Sequence, residues 1–212
     1  MWHRLLGCLA ASVAISGCAT ASRCTPVRRV APSRAAACAP RGVRLLASSP
    51  QAAVYAQSGA AYVCAPGSHP TRIGALDCSV DRTGYGPFTL ANRVLAYAVS
   101  DCGVDTSSAG VVVVDLGKRK TLLSTAAFSG PGMPEGFSDV PGLVLRNSGS
   151  VAWVASEGSP ATNRTVYEVH SAAGGRARVL DSGARIDPRS LTLNGACVQW
   201  RDDGKTRTTT LR

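Results

Sequence analysis

The feature that most constrains this chain is that it repeats itself. FTLANRVLAYAV (88–99), LVLRNSGSVAWV (143–154) and LTLNGACVQW (191–200) share one plan: a short apolar run, a polar turn containing Asn, and a second apolar run carrying an aromatic. A looser copy runs from Leu45–Leu46 to Tyr55. The aromatics Tyr55, Tyr97, Trp153 and Trp200 stand 42, 56 and 47 residues apart. Such spacings belong to stacked supersecondary units, and to propeller blades in particular. Each aromatic is followed by a turn and further strands: AAYVCAPGSHPTRIGAL, GVVVVDLGKRKTLL, TVYEVHSAAGGRARVL and DDGKTRTTTLR. Short Val-rich runs punctuated by 22 glycines read as strands rather than helices. The expectation is an all-β domain of about four four-stranded antiparallel repeats, the last one strand short, roughly 15 strands in all.

Burial explains the repetition. A four-stranded sheet with two apolar faces cannot cover both by itself, and stacking like sheets covers them. The aromatic of each second strand is therefore expected between sheets. The unbroken run Val111–Val114 is expected to form a strand buried on both faces. The implied architecture is a small or partial β-propeller, as a closed four-bladed ring, an open half, or a pair of chains forming a homo-oligomer. A β-sandwich of the same strands is the alternative.

The segments GSVAWVAS…TVYEVHSAAGGRARVL and RVLAYAVS…GVVVVDLGKRKTLL resemble the WD40-like repeats of the TolB type found in exported bacterial β-propellers. The likeness covers roughly residues 43 to 212, and it implies a propeller-like repeat domain working outside the cytoplasm.

The N-terminus supports export. Arg4 precedes the apolar run LLGCLAASVAI, about the length of a signal-peptide core and too short to span a bilayer. Residues 1–21 are read as a signal peptide with two competing cleavage sites. ISGC (15–18) resembles the bacterial lipobox, which would lipidate Cys18 and tether the protein to a membrane. ATA (19–21) fits ordinary secretory cleavage before Ser22. Residues 18 to 44 hold six arginines, three prolines and no acid, and 22–42 are expected to form a basic, Pro/Ala-rich flexible leader. The leader accounts for most of the formal charge of +10; residues 45–212 carry 16 basic and 13 acidic groups. That balance, without a run of interleaved basic and aromatic residues, argues against a nucleic-acid partner.

Of the eight cysteines, Cys8 and Cys18 fall in the targeting segment. The six that remain read as a disulfide set in an exported protein. Cys38–Cys64 and Cys78–Cys102 each bracket a strand or turn region and are the expected pairs; Cys24 and Cys197 are left over. No C-x-x-C pair occurs, and His69 and His170 do not stand at ligand spacing from a cysteine, so neither a metal nor a cofactor is expected.

No G-x-S-x-G appears, no Gly-rich phosphate cradle opens a helix, and no pair of carboxylates is fixed by spacing. His170 reads as ending a strand. The one unusual segment is TAAFSGPGMPEGFSDVPG (125–142), expected to be a long loop with Phe128, Met133, Glu135 and Phe137 as candidate contact residues. Two functions remain open. One is an exported, non-catalytic interaction or scaffold protein of the bacterial cell envelope, binding a protein or glycan partner through its loops. The alternative is an exported propeller-type hydrolase or lyase acting on envelope or environmental glycans.

Overall fold

The computed structural model describes residues 38–79, 82–130 and 136–212. They form an all-β structure without an α-helix. The strands are β1 (Arg44–Ser48), β2 (Ala53–Gln57), β3 (Ala60–Cys64), β4 (Thr71–Ala75), β5 (Thr83–Ala91), β6 (Val94–Cys102), β7 (Ser107–Asp115) and β8 (Lys120–Ala126), followed by β9 (Phe137–Leu145), β10 (Val151–Ser159), β11 (Arg164–Ala173), β12 (Arg176–Gly183), β13 (Ile186–Asn194), β14 (Cys197–Asp202) and β15 (Lys205–Thr210). β1–β4 make one antiparallel sheet and β13–β15 another. Between them, β5–β8 and β9–β12 are each antiparallel, and a single parallel bridge, Ser107 to Phe137, joins them into one eight-stranded sheet.

Local sequence fixes the turns. Ser58–Gly59, Gly174–Gly175 and Asp203–Gly204 connect β2 to β3, β11 to β12 and β14 to β15. All six residues have positive φ, the conformation of two-residue hairpin turns whose twist matches that of the strands they join.

The core lies between successive layers. β10 shows how one strand serves two of them through its period-2 alternation. Val151, Trp153 and Ala155 enter one cluster with Val111, Val113, Leu123 and Val140. Ala152 and Val154 enter the next with Val169, Ile186, Leu191, Val198 and Trp200. A third cluster joins the first sheet to the second: Val54 and Ala61 meet Leu95, with Phe88 and Tyr97 beside them. Of the repeated aromatics, Tyr55, Trp153 and Trp200 are buried and Tyr97 is half-buried. The first strands pack in sequence, β5 on β1, β9 on β5 and β13 on β9; among the described residues no packing of that extent joins β13 to β1.

Two expectations change. The sheets do not close into a propeller barrel; they are layered, an arrangement that fits the sandwich alternative. The run Val111–Val114 is not buried on both faces: Val111 and Val113 are fully buried, while Val112 and Val114 are half-buried. β7 alternates because only one of its faces is covered by the neighbouring layer.

Cys38–Cys64 and Cys78–Cys102 are disulfides, with Cα separations of 5.9 and 6.1 Å. The first ties the segment before β1 to the end of β3; the second ties the β4–β5 connection to the end of β6. Cys197 is also disulfide-bonded, to a partner outside the described residues. Cys18 and Cys24 lie outside the described residues. Disulfides of this number belong to an oxidising compartment.

Candidate functional site

The 125–142 segment is shorter as a loop than its Pro and Gly content implies. Thr125 and Ala126 complete β8, and Phe137 to Gly142 belong to β9. Pro141 was the misleading signal. β9 pairs with β10 through Gly142–Val154 and Asp139–Ser156, so Val140 and Pro141 together face Ala155. This bulge accommodates a proline that cannot donate to the ladder. The loop proper is 127–136, of which 131–135 lie outside the described residues, and with them Met133 and Glu135.

Both ends of the loop are fastened. At the entry, Ala127 is fully buried; its N–H donates to Ala109 O at 2.8 Å and its carbonyl accepts from Trp153 Nε1 at 2.8 Å. Phe128 is half-buried against the same core cluster. Ser129 donates twice to one carboxylate: its N–H reaches Glu168 Oε2 at 2.8 Å, and its hydroxyl reaches Glu168 at 2.9 Å. Glu168 also accepts from His170 Nε2 at 2.8 Å, and the His170 ring stacks on Trp153 with centroids 4.8 Å apart and planes 2° from parallel. At the exit, Ser107 N–H donates to Gly136 O at 3.1 Å, and the Ser107 hydroxyl to Ser138 O at 3.3 Å. Phe137 remains 43% exposed, and Val104, on the adjoining β6–β7 turn, is 94% exposed.

Glu168 and His170 are buried in the middle of β11, which corrects the expectation that His170 ends the strand. Burial pushes the His170 imidazole below its ordinary value of 6.5, against the opposing pull of the Glu168 carboxylate. A neutral ring that donates from Nε2 to a carboxylate carries its proton on Nε2. The cluster is wired for holding rather than for acyl transfer. In a catalytic triad the serine hydroxyl contacts the imidazole; here the Ser129 hydroxyl and His170 Nε2 both bind Glu168.

Sequence reasoning singled out the loop and missed the residues that hold it. The available signal was the order Glu168-x-His170 within TVYEVHSAA. On a strand this spacing puts both side chains on one face, and a polar pair on a buried face requires partners. Of the four expected contact residues, the structure places Phe128 and Phe137 at the two ends of the loop. Among the described residues no group of three or more His, Cys, Asp or Glu side chains is placed to hold a metal ion. No protein-family model matches the chain, and no curated protein matches it.

Proposed function

We propose that this chain is an exported, non-catalytic interaction protein of the bacterial cell envelope, which presents the 127–136 loop to a protein or glycan partner. The observation that carries the reading is the fastening of that loop at both ends, to Glu168 and to Ser107, while Phe137 stays exposed. A loop held on a rigid sheet loses less conformational freedom on binding than a free one. On this reading the four successive strand groups are WD40-like repeats of the TolB type in a partial propeller, and Phe128, Met133, Glu135 and Phe137 form the contact edge. Phe128 does so from a half-buried position, shaping the loop from below. The N-terminal segment exports the chain, either releasing it or tethering it through lipidated Cys18.

The test is capture from an envelope fraction by the full mature protein, beside a variant in which 130–135 are replaced by a short Gly-Ser bridge and a Phe137→Glu variant. Ser129 and Gly136 are retained so that the fastening survives. The reading expects wild-type melting behaviour in both variants and loss of the captured partner. Capture unchanged by both variants would remove the loop from consideration.

A further inference from the structure

A wide cleft lies away from this loop, between the first sheet and the β5–β8 layer. It is open to solvent and has a volume of about 810 Å³, within the range of small-molecule sites. One wall is the β3–β4 turn, from Val63 to Thr71; the other is Arg93 with the end of β7 and the β7–β8 turn. Val114, left half-buried by the alternation of β7, faces this space.

The charge in the cleft is one-sided. Arg93, Arg119 and His69 line it, and no Asp or Glu does. Asp115 stands just outside this lining, beside Gly117, and its carboxylate is committed to the β7–β8 turn. Its carboxylate accepts from the N–H groups of Gly117 and Lys118 at 3.0 Å each and pairs with Lys118 Nζ at 3.8 Å. Arg93 and Arg119 make no side-chain hydrogen bond or ion pair among the described residues.

Both walls are held in place. The β3–β4 turn is tied at Cys64 to Cys38, and Ser68 closes it by hydrogen bonds to Ala65 in both directions. The β7–β8 turn is shaped by Asp115 and by Arg119, whose φ is 52°. The Arg93 side chain runs beside Gly117: a Cβ built there would touch Arg93 Cδ at 3.4 Å and Nη1 at 3.7 Å, with Asp115 Oδ1 at 3.3 Å.

Unpaired guanidinium groups present fork-shaped donor sets that match planar or tetrahedral oxyanions. We propose that this cleft binds a small anionic ligand through a phosphate or carboxylate group held by Arg93 and Arg119. The site is separate from the 127–136 loop and does not depend on its role.

The test uses the full mature protein with its disulfides intact, followed by amide NMR during titration with pyrophosphate and, separately, with citrate. The expected result is saturable movement of the Ser68, His69 and Gly117 amides. Arg93→Gln and Arg119→Gln should each weaken binding by at least about fivefold, and the double variant should abolish it, all with unchanged melting temperature. Arg176→Gln, on the exposed edge strand β12, should bind as wild type. Pyrophosphate binding alone identifies a phosphate ligand, citrate binding alone a carboxylate one, and both together a general anion site. Failure of both probes to saturate, or wild-type binding by the double variant, would overturn the assignment.

Discussion

The two surface features of interest are held in opposite ways. The 127–136 loop rises from a deeply buried part of the described structure, where Trp153 is fully covered and stacks on the His170 imidazole that bonds the Glu168 carboxylate. The β3–β4 turn rises from a sheet whose buried residues are mostly small: Ala53, Val54, Ala60 and Ala61, with Tyr55 as the only fully buried large side chain there. That sheet carries the Cys38–Cys64 bridge instead. Where large side chains are available, packing and buried hydrogen bonds fix a loop. Where they are not, a covalent bond does so. Each feature should therefore yield to a different perturbation.

The largest expected effect is at Trp153. Truncation to Ala removes a fully buried indole, the face on which His170 stacks and the donor to Ala127 O. Denaturant unfolding should show a loss of about 3–5 kcal/mol. Tyr97→Ala, at a half-buried member of the same repeat series, should cost less; equal costs would show that burial does not set the cost at this repeat position. Next comes removal of the Cys38–Cys64 bridge by a double Cys→Ala change. Closing a loop over a separation of 26 residues contributes about 3 kcal/mol in the chain-entropy picture, and the loss should appear first as faster amide exchange in residues 64–71.

Glu168→Ala should cost about 1–3 kcal/mol, because Ser129 and His170 lose their shared acceptor in a buried site. Exchange should rise at 127–130 and not at 64–71. The smallest effect is on pH dependence. The folded-state value of His170 lies below 6.5, so the unfolded chain takes up the proton first as pH falls. The contribution of the neutral ring is complete above 6.5 and is lost as pH falls from 6.5 toward the depressed folded value, at no more than about 1.4 kcal/mol per pH unit. The melting-temperature difference between pH 7.5 and pH 5.5 should narrow in His170→Asn. A separate check concerns the third bridge. If residues 1–21 act as the targeting segment that holds Cys8 and Cys18, non-reducing peptide mapping of the mature protein should join Cys197 to Cys24; a Cys197 peptide carrying Cys18 would contradict that assignment.

Much of the fold was readable because its signals are local. Turn pairs such as Asp203–Gly204 and Gly174–Gly175 mark hairpins by a backbone requirement, and β10 announces its two faces by alternation alone. The pairing of Cys38 with Cys64 followed from the strand and turn region they bracket. Pro141 misled because whether a proline breaks a strand or sits in a bulge depends on the partner strand, which lies elsewhere in the sequence. The closure of the sheets was not readable for the same reason: no residue in β1 or β13 states whether the two meet. Glu168 and His170 went unrecognised because their meaning depends on Ser129, 39 residues away. The basic cleft likewise joins Arg93 and Arg119 to a turn that belongs to another sheet.

The most direct test of the contrast is hydrogen exchange on one sample set: wild type oxidised, wild type with the Cys38–Cys64 bridge reduced, and Glu168→Ala oxidised. The account predicts that reduction raises exchange in 64–71 and leaves 127–130 protected, while Glu168→Ala raises exchange in 127–130 and leaves 64–71 protected. If either perturbation loosened both segments together, the two features would share one support, and the account of a loop held by burial beside a turn held by a bond would be contradicted.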